Sequence, residues 1–91
     1  MTRFLVLDSG PLGMAANPRG TGDFPAWYRS VTSAEIDVVV PEIADYEVRR
    51  ELILAGLELS LARLAAVRAA ARFEPITSEI MLAAARIWAE A

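Results

Sequence analysis

Two short apolar runs, each ending abruptly in turn-forming residues, constrain this fold more than any other feature of the chain. Phe4-Leu-Val-Leu7 runs into Asp8-Ser-Gly-Pro11, and Ile36-Asp-Val-Val-Val40 runs into Pro41. Runs of this length are too short for an ordinary helix and too continuously apolar for a strand with one wet face. They read as strands buried on both sides, as in a parallel sheet. The β-branched residues of the second run reinforce that reading, because they pack well on a pleated surface.

The segments between and after these runs favour helix. Pro11 suits the first turn of a helix, so a short helix through Leu12 to Ala16 is expected, stopped near Asn17-Pro18. Residues 17 to 22, Asn-Pro-Arg-Gly-Thr-Gly, form a loop. Asp23 can cap the next helix, which carries Trp27, Tyr28 and Val31 and ends near Ser33. Pro41 closes the second strand and opens a long helical stretch interrupted at Gly56, which predicts helices over 42–55 and 58–72. Phe73-Glu-Pro-Ile76 reads as a short third strand or extended link. Thr77 or Ser78 then caps a last helix, with Glu79 in its first turn, where a negative charge suits the helix dipole.

Strands separated by helices imply a parallel sheet with right-handed crossovers, and helices on both faces give a three-layer α/β/α arrangement. Ninety-one residues allow one such domain. In the last helix Ile80, Met81, Ala84, Ile87 and Trp88 share one face, and Glu79, Arg86 and Glu90 share the opposite one. Three strands make a thin sheet, and the chain reaches Ala91 inside this amphipathic helix. The expectation is therefore a single α/β domain over 1–91, representing an N-terminal portion whose C-terminal strands are missing or come from elsewhere. The exposed apolar area that results predicts a homo-oligomer or a complementing chain.

Composition limits the chemistry. With 55% hydrophobic and 23% charged residues the chain can bury a core, which excludes a disordered class. It contains neither cysteine nor histidine, so disulfides, thiolate zinc sites, cysteine nucleophiles and imidazole catalysis are all excluded. Carboxylates, hydroxyls and arginines remain, and carboxylates alone suit hard cations such as Mg2+ or Mn2+. The net charge of -3 opposes nucleic-acid affinity from the whole-molecule field. All nine basic residues are arginine, each with the planar fork that suits phosphate or carboxylate; biased genomic composition explains this equally well. Arg3 followed by four apolar residues is neither a signal peptide nor a membrane span, and a cytoplasmic location is expected.

Two carboxylates stand out. Asp8 lies where the first strand meets the carboxyl edge of the sheet, the place where open parallel sheets bind ligands. It can equally cap the turn through its side chain. Glu47 lies on the helix face of Ile43 and Leu54, with Leu57 close by, where an unpaired charge is expensive. A local pair with Arg50 is the plain alternative. Glu42, Asp45 and Arg49 share another arc, which reads as the solvent face, with Asp45 and Arg49 at pairing distance.

The segments carrying these acids resemble a known family. Phe4-Leu-Val-Leu-Asp8-Ser-Gly-Pro-Leu12 is similar to the opening of PIN (PilT N-terminus) domains, where an apolar first strand ends in an aspartate followed by a small residue. Val39-Val-Pro41-Glu-Ile-Ala-Asp-Tyr-Glu47-Val-Arg-Arg-Glu-Leu52 resembles their second motif, with an acid six positions after the proline. Phe73 to Glu79 resembles the family's continuation toward its third strand. The resemblance spans almost the whole chain and is to VapC-like toxin ribonucleases of toxin–antitoxin pairs. It implies hydrolysis of RNA phosphodiester bonds, with carboxylates holding one or two Mg2+ or Mn2+ ions, and an antitoxin protein as a possible partner. Asp8 and Glu47 would be metal ligands and catalytic residues, with Ser9 supporting the site through its hydroxyl or capping the first helix. The family's further aspartates lie downstream of the helix that here reaches Ala91, so a catalytically incompetent fragment acting by binding or oligomerisation is the alternative.

Other residues draw weaker expectations. A phosphoaspartyl enzyme of the haloacid-dehalogenase type would need a second aspartate where Gly10 stands. Arg19, Arg49, Arg50 and Arg72 could contact RNA phosphates, although salt bridges are the simpler use. Asp37 reads as the exposed start of its strand, and Trp27, Tyr28 and Trp88 as core or interface packing.

Overall fold

The computed structural model describes residues 3–20 and 22–90. The elements follow in the order β1 (Arg3–Val6), α1 (Ser9–Ala16), α2 (Phe24–Thr32), β2 (Ile36–Pro41), α3 (Glu42–Leu54), α4 (Glu58–Ala70), β3 (Arg72–Glu74) and α5 (Ser78–Glu90). The two apolar runs are β1 and β2, paired in parallel with Phe4 opposite Asp37 and Val6 opposite Val39. The third strand is shorter than expected, and it pairs in parallel with the end of β2, Val40 opposite Phe73. The sheet is therefore parallel throughout, in the order β1-β2-β3, and the chain has a mixed α/β fold.

Local signals place most helix ends. Helix α1 begins at Ser9, earlier than Pro11 suggests, and its first intrahelical bond is donated by the Leu12 amide to the Asp8 carbonyl at 3.0 Å. Pro11 therefore sits in the first turn, where its missing N–H costs nothing. Neither Asp8 nor Asp23 caps its helix through the side chain, whereas Thr77 does so for α5, its hydroxyl accepting from the Ile80 amide at 3.2 Å. The expected final helix is α5; Ala91 lies outside the described residues.

Helix α3 ends in a Schellman motif: the Leu57 amide donates to the Leu52 carbonyl and the Gly56 amide to the Ile53 carbonyl. Gly56 takes a φ of 68° there, with open space around the position of a Cβ. A Gly56→Ala variant thus meets no clash and only the left-handed backbone penalty. It is expected to lose about 1 kcal/mol in urea denaturation, with α3 and α4 otherwise intact.

The core lies on one face of the sheet. Alternation along the strands sends Leu5, Leu7, Val38, Val40 and Phe73 toward α1, α3 and α4, where Leu12, Ala16, Ala44, Val48 and Leu64 complete the cluster. These three helices also pack on one another. The strand order explains the sidedness, since successive right-handed crossovers moving in one direction across a sheet leave their helices on the same side. On the other face Phe4 and Val6 are 55% and 57% exposed, and α5 has no buried residue. The helices on both faces anticipated from the strand–helix alternation are thus realised as one packed layer among the described residues.

Tyr28 of α2 packs against the edge of this core, while Trp27 and Trp88 are exposed. Burial pushes the Tyr28 phenol above its ordinary value of 10.0. Because the folded state holds the neutral phenol more firmly than the unfolded chain does, this contribution is fully present below pH 10 and is lost as pH rises through the folded value. Thermal stability should therefore fall above about pH 10, and Tyr28→Phe should make that fall shallower.

Candidate functional site

Helix α3 sets the geometry of the candidate site, and its orientation differs from the reading of its helical wheel. The arc taken for solvent points inward: Asp45 is only 6% exposed. Its carboxylate accepts from the Arg49 Nε at 3.1 Å and Nη2 at 3.0 Å, a bidentate pair of the kind guanidinium geometry favours. Arg68 of α4 brings a second guanidinium to 3.9 Å from the same carboxylate and lies 4.0 Å over the centre of the Phe73 ring. The hydrogen bond to Asp45 raises the pKa of Arg49, against a smaller opposing effect of burial. Glu42, one turn earlier, accepts the Ile76 amide at 3.0 Å and ties the entrance of α5 to the start of α3. Burial of this polar arc is sustained because its carboxylates are paired or hydrogen-bonded.

The correction has a counterpart on the opposite side of α3. The apolar residues flanking Glu47, namely Ile43, Leu54 and Leu57, are exposed, and so is Glu47 itself. Glu47 therefore keeps its hydration, and no partner is required by desolvation. Arg50, the expected partner, instead meets Glu51 at 3.1 Å on the exposed surface.

Glu47 lines an open groove of about 500 Å³ between α3 and the start of α1. Ser9, Gly10 and Gly13 form one wall; Tyr46, Glu47, Arg50 and Glu51 belong to the other. Asp8, at the carboxyl end of β1, directs a carboxylate oxygen to 3.9 Å from where a Gly10 side chain would begin. Asp8 thus lies beside the Gly10 wall, without itself lining the groove. Asp8 is exposed, and among the described residues neither Asp8 nor Glu47 makes an ion pair or side-chain hydrogen bond. The α1 N-cap position belongs to Asp8, so Ser9 is released from the capping role and sits in the groove wall.

Glu51 is the groove residue that inspection of the sequence missed. Its signal was available, since four residues separate it from Glu47 and place both acids on one helix face. The four anticipated phosphate contacts are dispersed, with Arg72 on β3 pairing with Glu74 at 3.7 Å. Arg50 is in the groove, Arg49 is engaged by buried Asp45, and Arg19 lies in the loop after α1, where its amide donates to the Asn17 side chain.

As a cation site the groove is partial. Exposed carboxylates without protein partners are the oxygen donors that Mg2+ or Mn2+ takes. Among the described residues, however, no group of three or more acids converges closely enough to hold a metal ion. Asp8 and Glu47 would account for part of a coordination shell. No described helix is long and apolar enough to cross a membrane. Comparison with protein-family models, with curated proteins and with solved structures finds no match to this chain.

Proposed function

We propose that this chain is a PIN-like domain of the toxin ribonuclease type, built for Mg2+- or Mn2+-dependent cleavage of RNA. The observation that carries this reading is an exposed Asp8, unpaired among the described residues, just past the carboxyl end of β1 and next in sequence to the Ser9 and Gly10 that wall the groove lined by Glu47 from the second turn of α3. Ligand sites of open parallel sheets form at this edge, and unpartnered carboxylates there suit a hard cation beside a polyanion. Asp8 and Glu47 would hold the ion, Ser9 would support the site, and Arg50 with Arg19 would meet phosphate. The bound ion would supply Lewis acidity and an activated water. A cytoplasmic location, an antitoxin partner and a second helical layer over Phe4 and Val6 belong to the same proposal.

The lack of a third converging acid favours a second reading, a PIN-like scaffold that works by binding or oligomerisation without catalysis. Titration calorimetry with MnCl2, combined with cleavage of a single-stranded RNA, separates the two. The nuclease reading expects weak Mn2+ binding and metal-dependent cleavage. Purified protein that neither binds Mn2+ nor cleaves RNA at high concentration would sink it in favour of the second.

A further inference from the structure

Four of the nine arginines pair with acids: Arg49 and Arg68 with Asp45, Arg50 with Glu51, and Arg72 with Glu74. Among the described residues Arg19, Arg29 and Arg63 have no such partner, and these three line one cavity of about 260 Å³. They come from three separate elements: the loop after α1, helix α2 and helix α4. The fold brings them together where α1 packs on both helices. No lining residue is acidic, although acids outnumber arginines twelve to nine in the chain. Charges around a cavity of this size repel one another inside the screening length of about 10 Å at 0.1 M salt. A bound anion would remove that cost.

Two of the three arginines are held in place. Arg63 donates from Nη2 to the Ala15 carbonyl at 3.4 Å, near the C-terminal end of α1, and its other N–H groups remain for a ligand. Arg19 donates its amide to the Asn17 side chain at 3.0 Å, and the adjoining Gly20 lies so close to α2 that a Cβ would meet Pro25 Cγ at 2.7 Å. The loop is thereby fixed against the start of α2. Half-buried Phe24 and Tyr28, stacked with ring centroids 5.5 Å apart, give the same cavity an aromatic wall.

We infer that this cavity binds a phosphate monoester. A terminal phosphate brings a charge of about -1.5 to -2 and three acceptor oxygens, which three guanidinium forks can share. A backbone phosphodiester or a carboxylate carries a single charge and leaves the cluster with a net positive excess. The volume lies below the roughly 300–1,000 Å³ of drug-sized pockets, so it suits the phosphate and a small part of what bears it. Arg19 is shared with the phosphate contacts of the nuclease reading. Arg29 and Arg63 are not, and neither Asp8, Glu47 nor a cation takes part.

The test is run in EDTA, so that failure of the cation site leaves it unaffected. Calorimetric titration with adenosine monophosphate should show binding that adenosine lacks. Arg29→Gln and Arg63→Gln should each weaken that binding at least about tenfold, the loss of one charge-assisted contact. Both side chains are exposed, so circular dichroism should show the fold retained in each variant. Arg86→Gln removes the same charge from α5 and should leave the affinity unchanged, which separates a built cavity from the field of the whole chain. Displacement of the nucleotide by a single-stranded RNA with a terminal phosphate, and not by its hydroxyl-ended form, supports the site with a strand end as its ligand. Nucleotide binding without that displacement supports it with a free nucleotide. Absence of nucleotide binding at millimolar concentration overturns the inference. So do equal binding of adenosine, displacement by the hydroxyl-ended RNA, and an equal loss in Arg86→Gln.

Discussion

Leu64→Ala is expected to cost 2–5 kcal/mol, or about that, and to move the urea midpoint further than any other single truncation in α4. Leu64 is fully buried where α4 meets α1 and α3 above Leu7 and Val40. Removing its side chain forfeits the transfer energy of the lost methyl groups and leaves a cavity that three helices must jointly collapse to fill. The effect is large against the whole. A domain of 91 residues commands roughly 5–14 kcal/mol of net stability, and this one covers a single face of its sheet. Leu54→Ala is the matched control: the same atoms are removed from an exposed position on α3, and the change should stay within about 0.5 kcal/mol. Equal shifts for the two variants would mean that α4 does not seat on the sheet as described.

The strands and helices were legible in the sequence because each is specified locally. The run at Phe4 meets the turn residues Asp8-Ser-Gly-Pro11, the run at Ile36 has Pro41 as its last strand residue, and Gly56 takes the positive φ its Schellman motif requires. What was not legible is the orientation of α3. A helical wheel assigns polar residues to solvent, and Glu42, Asp45 and Arg49 are polar. Their burial depends on Arg68, on another helix, and on the Ile76 amide beyond β3. Contacts so distant in sequence leave no trace in local periodicity. The same limit applies to the sheet, since two-sided apolar strands say that both faces want cover without saying what covers them. Asp8 was found through its strand-end position, which is topological and survives these errors. Glu47 was found for a reason that fails, as a costly acid on a buried face, yet it remains of interest as an exposed acid at a groove.

These two meanings of an acidic residue on α3 can be separated by experiment, and the contrast carries the largest effect expected on function. Asp8→Asn and Glu47→Gln keep shape and remove charge, and both side chains are exposed without protein partners among the described residues, so stability should change by less than about 0.5 kcal/mol. If they hold the cation, Mn2+ affinity and metal-dependent RNA cleavage should each fall at least about 100-fold, since even residues that merely orient metal ligands cost up to that much. The double variant should be no worse than the poorer single one in cleavage, because the two act on one ion as a unit. Asp45→Asn provides the opposite pattern. It takes the buried half of the pair's charge away from a half-exposed Arg49, and should lower the urea midpoint with little change in Mn2+ affinity. If Asp8→Asn and Glu47→Gln leave both Mn2+ binding and cleavage unchanged, these acids are ordinary surface charges. If instead their loss matters only to stability, the groove is a packing feature and the cation site lies elsewhere or nowhere.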